Sequence, residues 1–105
     1  MGHTIQAQLL GELDLKVDNR SIRLPRGQAK LALSMLLIRA PRTVSSDTLI
    51  DELWGEIWPH NARNGLQQVI ASLRRVINRA APGLGNHLVL TDPNGYRLDI
   101  LASEI

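Results

Sequence analysis

Apolar residues alternate with polar ones near both ends of the chain and recur at helical spacing in between. Leu13, Leu15 and Val17 are two apart, as are Ile22 and Leu24, which is the period of a half-buried strand. Asp18-Asn19, between those runs, are residues that accept the left-handed angles of a tight hairpin turn. Residues 5–10, ended by Gly11, predict an earlier strand, so a small antiparallel sheet is expected over residues 5–24. Pro25 and Gly27 close it. Residues 28–40 then carry Ala29, Leu31, Ala32, Leu33, Met35, Leu36, Leu37 and Ile38. That helix is apolar over most of its circumference and belongs at the centre of a fold. Pro41 stops it.

Ser45 or Ser46 offers an oxygen to cap a second helix, with Asp47 favourable in its first turn. Leu49, Ile50, Leu53 and Trp54 form its buried stripe, Gly55 ends it, and residues 55–60 are expected to be a loop. The third helix carries the strongest signal. Leu66, Val69, Ile70, Leu73, Val76 and Ile77 follow helical spacing closely, and burying each is worth roughly 2 kcal/mol before entropy is charged. The opposite face, with Asn64, Gln67, Gln68, Ala71, Ser72 and Arg75, must therefore point away from the core. After Pro82-Gly83-Leu84-Gly85 the period of two returns. His87 is expected to start a strand with Leu88 and Leu90, and Tyr96, Leu98 and Ile100 follow Asp92-Pro93-Asn94-Gly95. Proline second and glycine fourth suit a type I turn, so a C-terminal hairpin is expected.

The order sheet, three helices, hairpin is α+β and has the layout of a winged helix-turn-helix. With 105 residues the chain fits one small domain, expected at residues 5–101. Residues 1–4, opening Met1-Gly2-His3, are given no role and are read as an expression-tag remnant, and 102–105 as a tail. Only Trp54, Trp58 and Tyr96 are aromatic, so the core rests on Leu, Ile, Val and Ala. The chain has no cysteine, which excludes disulfides and thiolate metal sites and suits a reducing cytoplasm. The longest apolar stretch, residues 31–38, is broken by Ser34 and too short to cross a bilayer. No signal peptide is visible.

Charge sharpens the picture through its distribution. The net charge is only +2. Residues 61–81 nevertheless hold four arginines (Arg63, Arg74, Arg75, Arg79) and no acid, while residues 43–60 hold four acids (Asp47, Asp51, Glu52, Glu56) and no Lys or Arg. Such polarity suits docking one face onto a polyanion; a solvated charged helix is the plainer reading. In helix-turn-helix proteins the recognition helix enters the major groove. There Asn and Gln pair with adenine, Arg with guanine, and Ser with several bases. Asn64, Gln68, Ser72 and Arg75 form one row along the helix, with Gln67 beside it. Arg63, Arg74 and Arg79 are read as lying off that row, placed for phosphates, with solubility or pairing to Glu52 or Glu56 as the alternative. Catalysis is not expected: His3, His60 and His87 lack ligand spacing, and no nucleophile motif or phosphate-cradling glycine loop occurs. No cofactor or metal is implied. The rival reading is a winged helix turned to binding an acidic protein partner.

Several runs resemble one family. Residues 44–55, Val-Ser-Ser-Asp-Thr-Leu-Ile-Asp-Glu-Leu-Trp-Gly, resemble the second helix of OmpR/PhoB-type DNA-binding domains. Leu73-Arg74-Arg75-Val76-Ile77 and Gly95-Tyr96-Arg97-Leu98 resemble their third helix and wing. Leu10-Gly11-Glu12-Leu13 together with Ala62-Arg63-Asn64 is most similar to the N-terminal domain of the Streptomyces antibiotic regulatory protein (SARP) family. The resemblance implies a four-stranded N-terminal sheet, a third helix in the major groove, and a wing (Asp92, Asn94, Gly95, Arg97) at the adjacent minor groove. It also implies tandem binding to direct repeats on double-stranded DNA by a protein monomeric in solution. Contacts to RNA polymerase would come from the loop with Glu56, Ile57 and Trp58, although Trp58 packing over the helix junction is the simpler account. A receiver or activation domain would complete such a regulator, and these 105 residues hold neither. Asp92 stands where relatives often have arginine, Ser72 where they are often basic, and Gly65 where alanine is usual. Gly65 costs about 1 kcal/mol of helix propensity, set against a close approach of the helix N-terminus to phosphate.

Overall fold

A computed structural model describes residues 4–9, 13–24 and 27–100. In chain order the elements are β1 (Ile5–Gln8), β2 (Asp14–Val17), β3 (Arg20–Ser21), α1 (Gln28–Arg39), β4 (Val44–Ser45), α2 (Ser46–Trp54), α3 (Ala62–Ala80), α4 (Leu84–Leu88), β5 (Val89–Asp92) and β6 (Gly95–Leu98).

Two small antiparallel sheets flank the helices, ordered β1-β2-β3 and β4-β6-β5. In the first, Ile5 faces Val17 and Ala7 faces Leu15, so alternate side chains reach the core. Asp18 and Asn19 turn with φ of 52° and 67°, as their residue types predict. Three strands, not four, are present among the described residues. Ile22 and Leu24 form no strand, although the Ile22 N–H still donates to the Leu15 carbonyl at 2.8 Å. Leu10, Gly11, Glu12 and Pro25, together with residues 1–3 and 102–105, lie outside the described residues.

The main core cluster is largely aliphatic, with Leu15, Leu33, Leu36, Leu49, Ile50, Leu66, Ile70, Leu73, Ile77 and Leu98 among its members, and Ala29, Ala32 and Val69 form a smaller one. Five of the six predicted α3 positions are buried, and Val76 is half-buried. The expectation for α1 needs correction. Ala29, Ala32, Leu33, Leu36 and Leu37 are buried, but Leu31 is 41% and Ile38 65% exposed. The helix packs against α2, α3 and the wing sheet, and Leu31 and Ile38 lie on the face these leave open.

Two elements were not expected. Val44–Ser45 pairs with β6, Val44 facing Tyr96 and Ser45 facing Gly95, so the wing is a three-stranded sheet tied to the start of α2. Only glycine permits this, because a Cβ at position 95 would overlap the Val44 carbonyl. The other is α4, at a place where a break and then a strand were expected; His87 lies in that helix. The Gly85 N–H donates to Asn78 Oδ1 at 2.6 Å, and a Cβ there would overlap the Arg74 carbonyl. The short helix is thus held against α3 by backbone contact and not by its own weak propensity. It also shifts the strand that follows, so that Val89 is fully buried and Leu90 only half-buried.

Candidate nucleic-acid interface

The geometry begins at α2. Ser45 caps it, its Oγ accepting the Thr48 N–H at 3.1 Å, and Gly55, with φ of 68°, ends it. Asn61 takes a left-handed conformation, which Asn accepts more readily than most residues, and starts α3 at a new angle. The Trp54 indole lies across the start of α3: a Cβ at Gly65 would sit 3.2 Å from two of its ring carbons. A side chain at position 65 would therefore press on the Trp54 ring, which must give by a few tenths of an ångström.

With its apolar stripe buried, α3 presents Asn64, Gln67, Gln68 and Arg75 to solvent, with Ser72 half-buried among them. Arg75 Nη2 donates to Ser72 Oγ at 3.0 Å, which folds the guanidinium along the helix surface within the row. Ser46, Arg63, Gln67, Thr91, Pro93 and Tyr96 line one cleft where α2, α3 and the wing meet. The structure thus brings Arg63 and Gln67 of α3 beside Thr91 and Pro93 of the wing.

The remaining arginines behave differently from one another. Arg63 faces Asp47 at 3.8 Å, both more than two-thirds exposed. Its partner is Asp47 in the first turn of α2, not Glu52 or Glu56. Such an exposed pair holds little energy and leaves Arg63 available. Arg74 is committed elsewhere. Its Nε and Nη2 donate to the Val89 carbonyl at 3.0 and 2.7 Å, and Nη2 also to Thr91 Oγ1 at 2.9 Å. It pins β5 to α3, a role that residue spacing alone does not reveal. Arg79 follows Arg75 by four residues and so extends the central row, contrary to the sequence reading.

In the wing, Arg97 pairs with Asp92 at 3.1 Å and lies 3.9 Å from Asp99. The Thr43 hydroxyl donates to Asp92 Oδ2, the carboxylate oxygen that Arg97 Nε also approaches. That hydroxyl first, and then Arg97, hold the Asp92 carboxyl below its ordinary value against partial desolvation. Asp92 thus ties the wing to the segment before β4 and neutralises Arg97. Asn94 is exposed at the hairpin tip, and Gly95 is buried under β4. In the loop after α2, Glu56 is exposed and Ile57 is 86% exposed. Trp58 is 44% exposed, and its Nε1 donates to Asp51 Oδ1 at 2.8 Å. The indole is held beside α2 with one face open.

If Arg74 is a brace, Arg74→Ala should destabilise the protein alone by about 1–2 kcal/mol through lost hydrogen bonds to the wing. Arg74→Lys should not restore stability, since an ammonium cannot bridge in the same way. Thermal melting without DNA measures this. An unchanged midpoint in Arg74→Ala would mean that the side chain is free to serve phosphates alone.

Three helices, an exposed polar row on the third and a hairpin braced beside it define a winged helix-turn-helix domain. The family described as "Transcriptional regulatory protein, C terminal" matches residues 19–98, and the chain belongs to that family, the winged helices of OmpR/PhoB type. Transcriptional regulator RedD of Streptomyces coelicolor is 32% identical over 100 residues, spanning 94% of this chain and 29% of RedD. Regulatory protein AfsR of the same organism is 30% identical over 94 residues, spanning 90% of this chain and 9% of AfsR. Both agree with the SARP resemblance. Among solved structures, Mycobacterium tuberculosis EmbR in complex with a low-affinity phosphopeptide superposes with a TM-score of 0.86 at 28% identity, over 98% of this chain and 27% of EmbR. The chain therefore spans less than a third of each of these relatives. Among the described residues no helix is long and apolar enough to cross a membrane, and no group of three or more His, Asp or Glu is placed to hold a metal ion.

Proposed function

We propose that residues 5–101 form the sequence-specific double-stranded DNA-binding unit of a cytoplasmic transcriptional regulator, acting without catalysis. The outer face of α3 enters the major groove, where Asn64, Gln67, Gln68, Ser72 and Arg75 meet base edges and Arg63 a phosphate. Asn94 and the rest of the wing tip approach the adjacent minor groove. The single observation that carries this reading is the outward-facing, acid-free row on α3 opposite a largely buried apolar stripe. A carboxylate there would be repelled by phosphate, and the amides and guanidinium present are those that read bases.

Finer features follow from the family resemblance. The unit binds direct repeats in tandem, one copy per half-site and monomeric when free, and activates transcription. The half-open Trp58 with Ile57 and Glu56 is the surface offered to RNA polymerase. The relatives' greater length supports a further domain that supplies the signal.

Selection of bound duplexes from a random library at near-physiological salt tests the reading. Enrichment of a direct repeat with half-sites about one helical turn apart is the expected result. A folded protein that enriches nothing would favour the rival, a winged helix that binds a protein partner.

A further inference from the structure

Positive charge on this chain is unevenly satisfied. The arginines beside the wing are engaged: Arg63 faces Asp47, Arg97 faces Asp92 and Asp99, and Arg74 is held by Val89 and Thr91. At the opposite end of α3 the situation reverses. Arg79 from the last helical turn, with Arg20 and Arg23 from β3 and the residues after it, lines one open groove of about 770 Å³ floored by Val17, Ile22 and Val76. All three arginines are exposed. Among the described residues none of their guanidiniums has an ion-pair or hydrogen-bond partner. The acid in the groove, Asp18, accepts the Thr4 N–H on Oδ1 at 2.9 Å.

Arg79 sits favourably at a helix C-terminus, but that accounts for neither Arg20 nor Arg23. Three exposed guanidiniums around one groove make a concave cationic patch that attracts a polyanion. The groove is also continuous with the base-reading row, because Arg79 belongs to both. We propose that it is a second phosphate clamp: a DNA strand leaving the major groove at the C-terminal end of α3 crosses the β2–β3 hairpin, and Arg20, Arg23 and Arg79 neutralise its phosphates. The clamp rests on the DNA reading of α3 and carries its footprint onto the N-terminal sheet. It also explains how a chain whose wing arginine is neutralised internally still grips a duplex.

The test is the salt dependence of binding to a fluorescent random-sequence duplex, measured by anisotropy with the whole chain. Each phosphate neutralised contributes roughly 0.9 to the slope of log K against log salt. Arg20→Ala with Arg23→Ala should flatten the slope by about 2 and Arg79→Ala by about 1, while the Arg20→Lys, Arg23→Lys pair should keep it. If the alanine pair lowers the thermal midpoint, Arg20→Gln with Arg23→Gln, which retain most of the apolar stem, repeats the measurement. A steep wild-type slope left unchanged by neutralising Arg20 and Arg23 overturns the clamp and leaves the DNA reading standing. A wild-type chain with no salt-dependent duplex binding overturns both and points the groove to an acidic polypeptide.

Discussion

Replacing Gly95 with alanine should destabilise this domain more than any surface substitution, by about 3 kcal/mol, the upper range for overpacking. The glycine lies where β6 meets β4, and an added methyl would overlap the Val44 carbonyl and crowd Ser45. Neither neighbour is a flexible side chain that can swing aside. The chain must separate β4 from β6, which breaks the Val44–Tyr96 and Ser45–Gly95 pairing and the Ser46 N–H bond to the Asn94 carbonyl at 2.9 Å. Ser45 also caps α2, so the start of that helix should loosen with the wing. Chemical denaturation reads the total loss, and amide exchange localises it to residues 44–48 and 89–98. An alanine variant as stable as the parent would mean that the close approach of β4 and β6 is not maintained in solution.

The second large effect concerns recognition. The combined variant Asn64→Ala, Gln68→Ala, Arg75→Ala should bind its selected operator at least about 100-fold more weakly, since each good bidentate base contact is worth about 1–3 kcal/mol. Affinity for random duplex should fall far less, because phosphate contacts carry most of that binding. Stability should hold or rise slightly: these side chains are exposed, and alanine is the better helix former. Competition between specific and random duplex separates the two effects. Equal losses on both would place the base-reading surface elsewhere.

How far the sequence revealed this arrangement depended on the range of the interaction that decides each part. The α3 stripe was legible because its apolar residues repeat within one helix, and fixing that stripe fixes the outward row. The Asp18-Asn19 turn was legible because those residue types tolerate the angles it needs. β4 was not, since two residues carry no periodicity and their pairing depends on the missing Cβ of Gly95. α4 was hidden for a related reason: Gly85 and Asn86 argue against helix locally, and contact with Asn78 and Arg74 overrides them. Arg74 was read as a phosphate ligand because its acceptor, the Val89 carbonyl, is backbone and leaves no mark in residue identity. The contact of Arg63 with Asp47 was equally hidden, since it joins two helices whose relative placement no local pattern gives.

The three-stranded wing also bears on how the molecule assembles. β1 and β2 pair across a short connection, β5 and β6 across Pro93-Asn94, and α3 needs only local hydrogen bonds. The β4–β6 pairing joins segments on the order of fifty residues apart. Closing so long a loop costs entropy before its few hydrogen bonds form. The angle between α3 and the wing thus depends on a pairing that must close a long loop, whereas the helix itself is built from local hydrogen bonds.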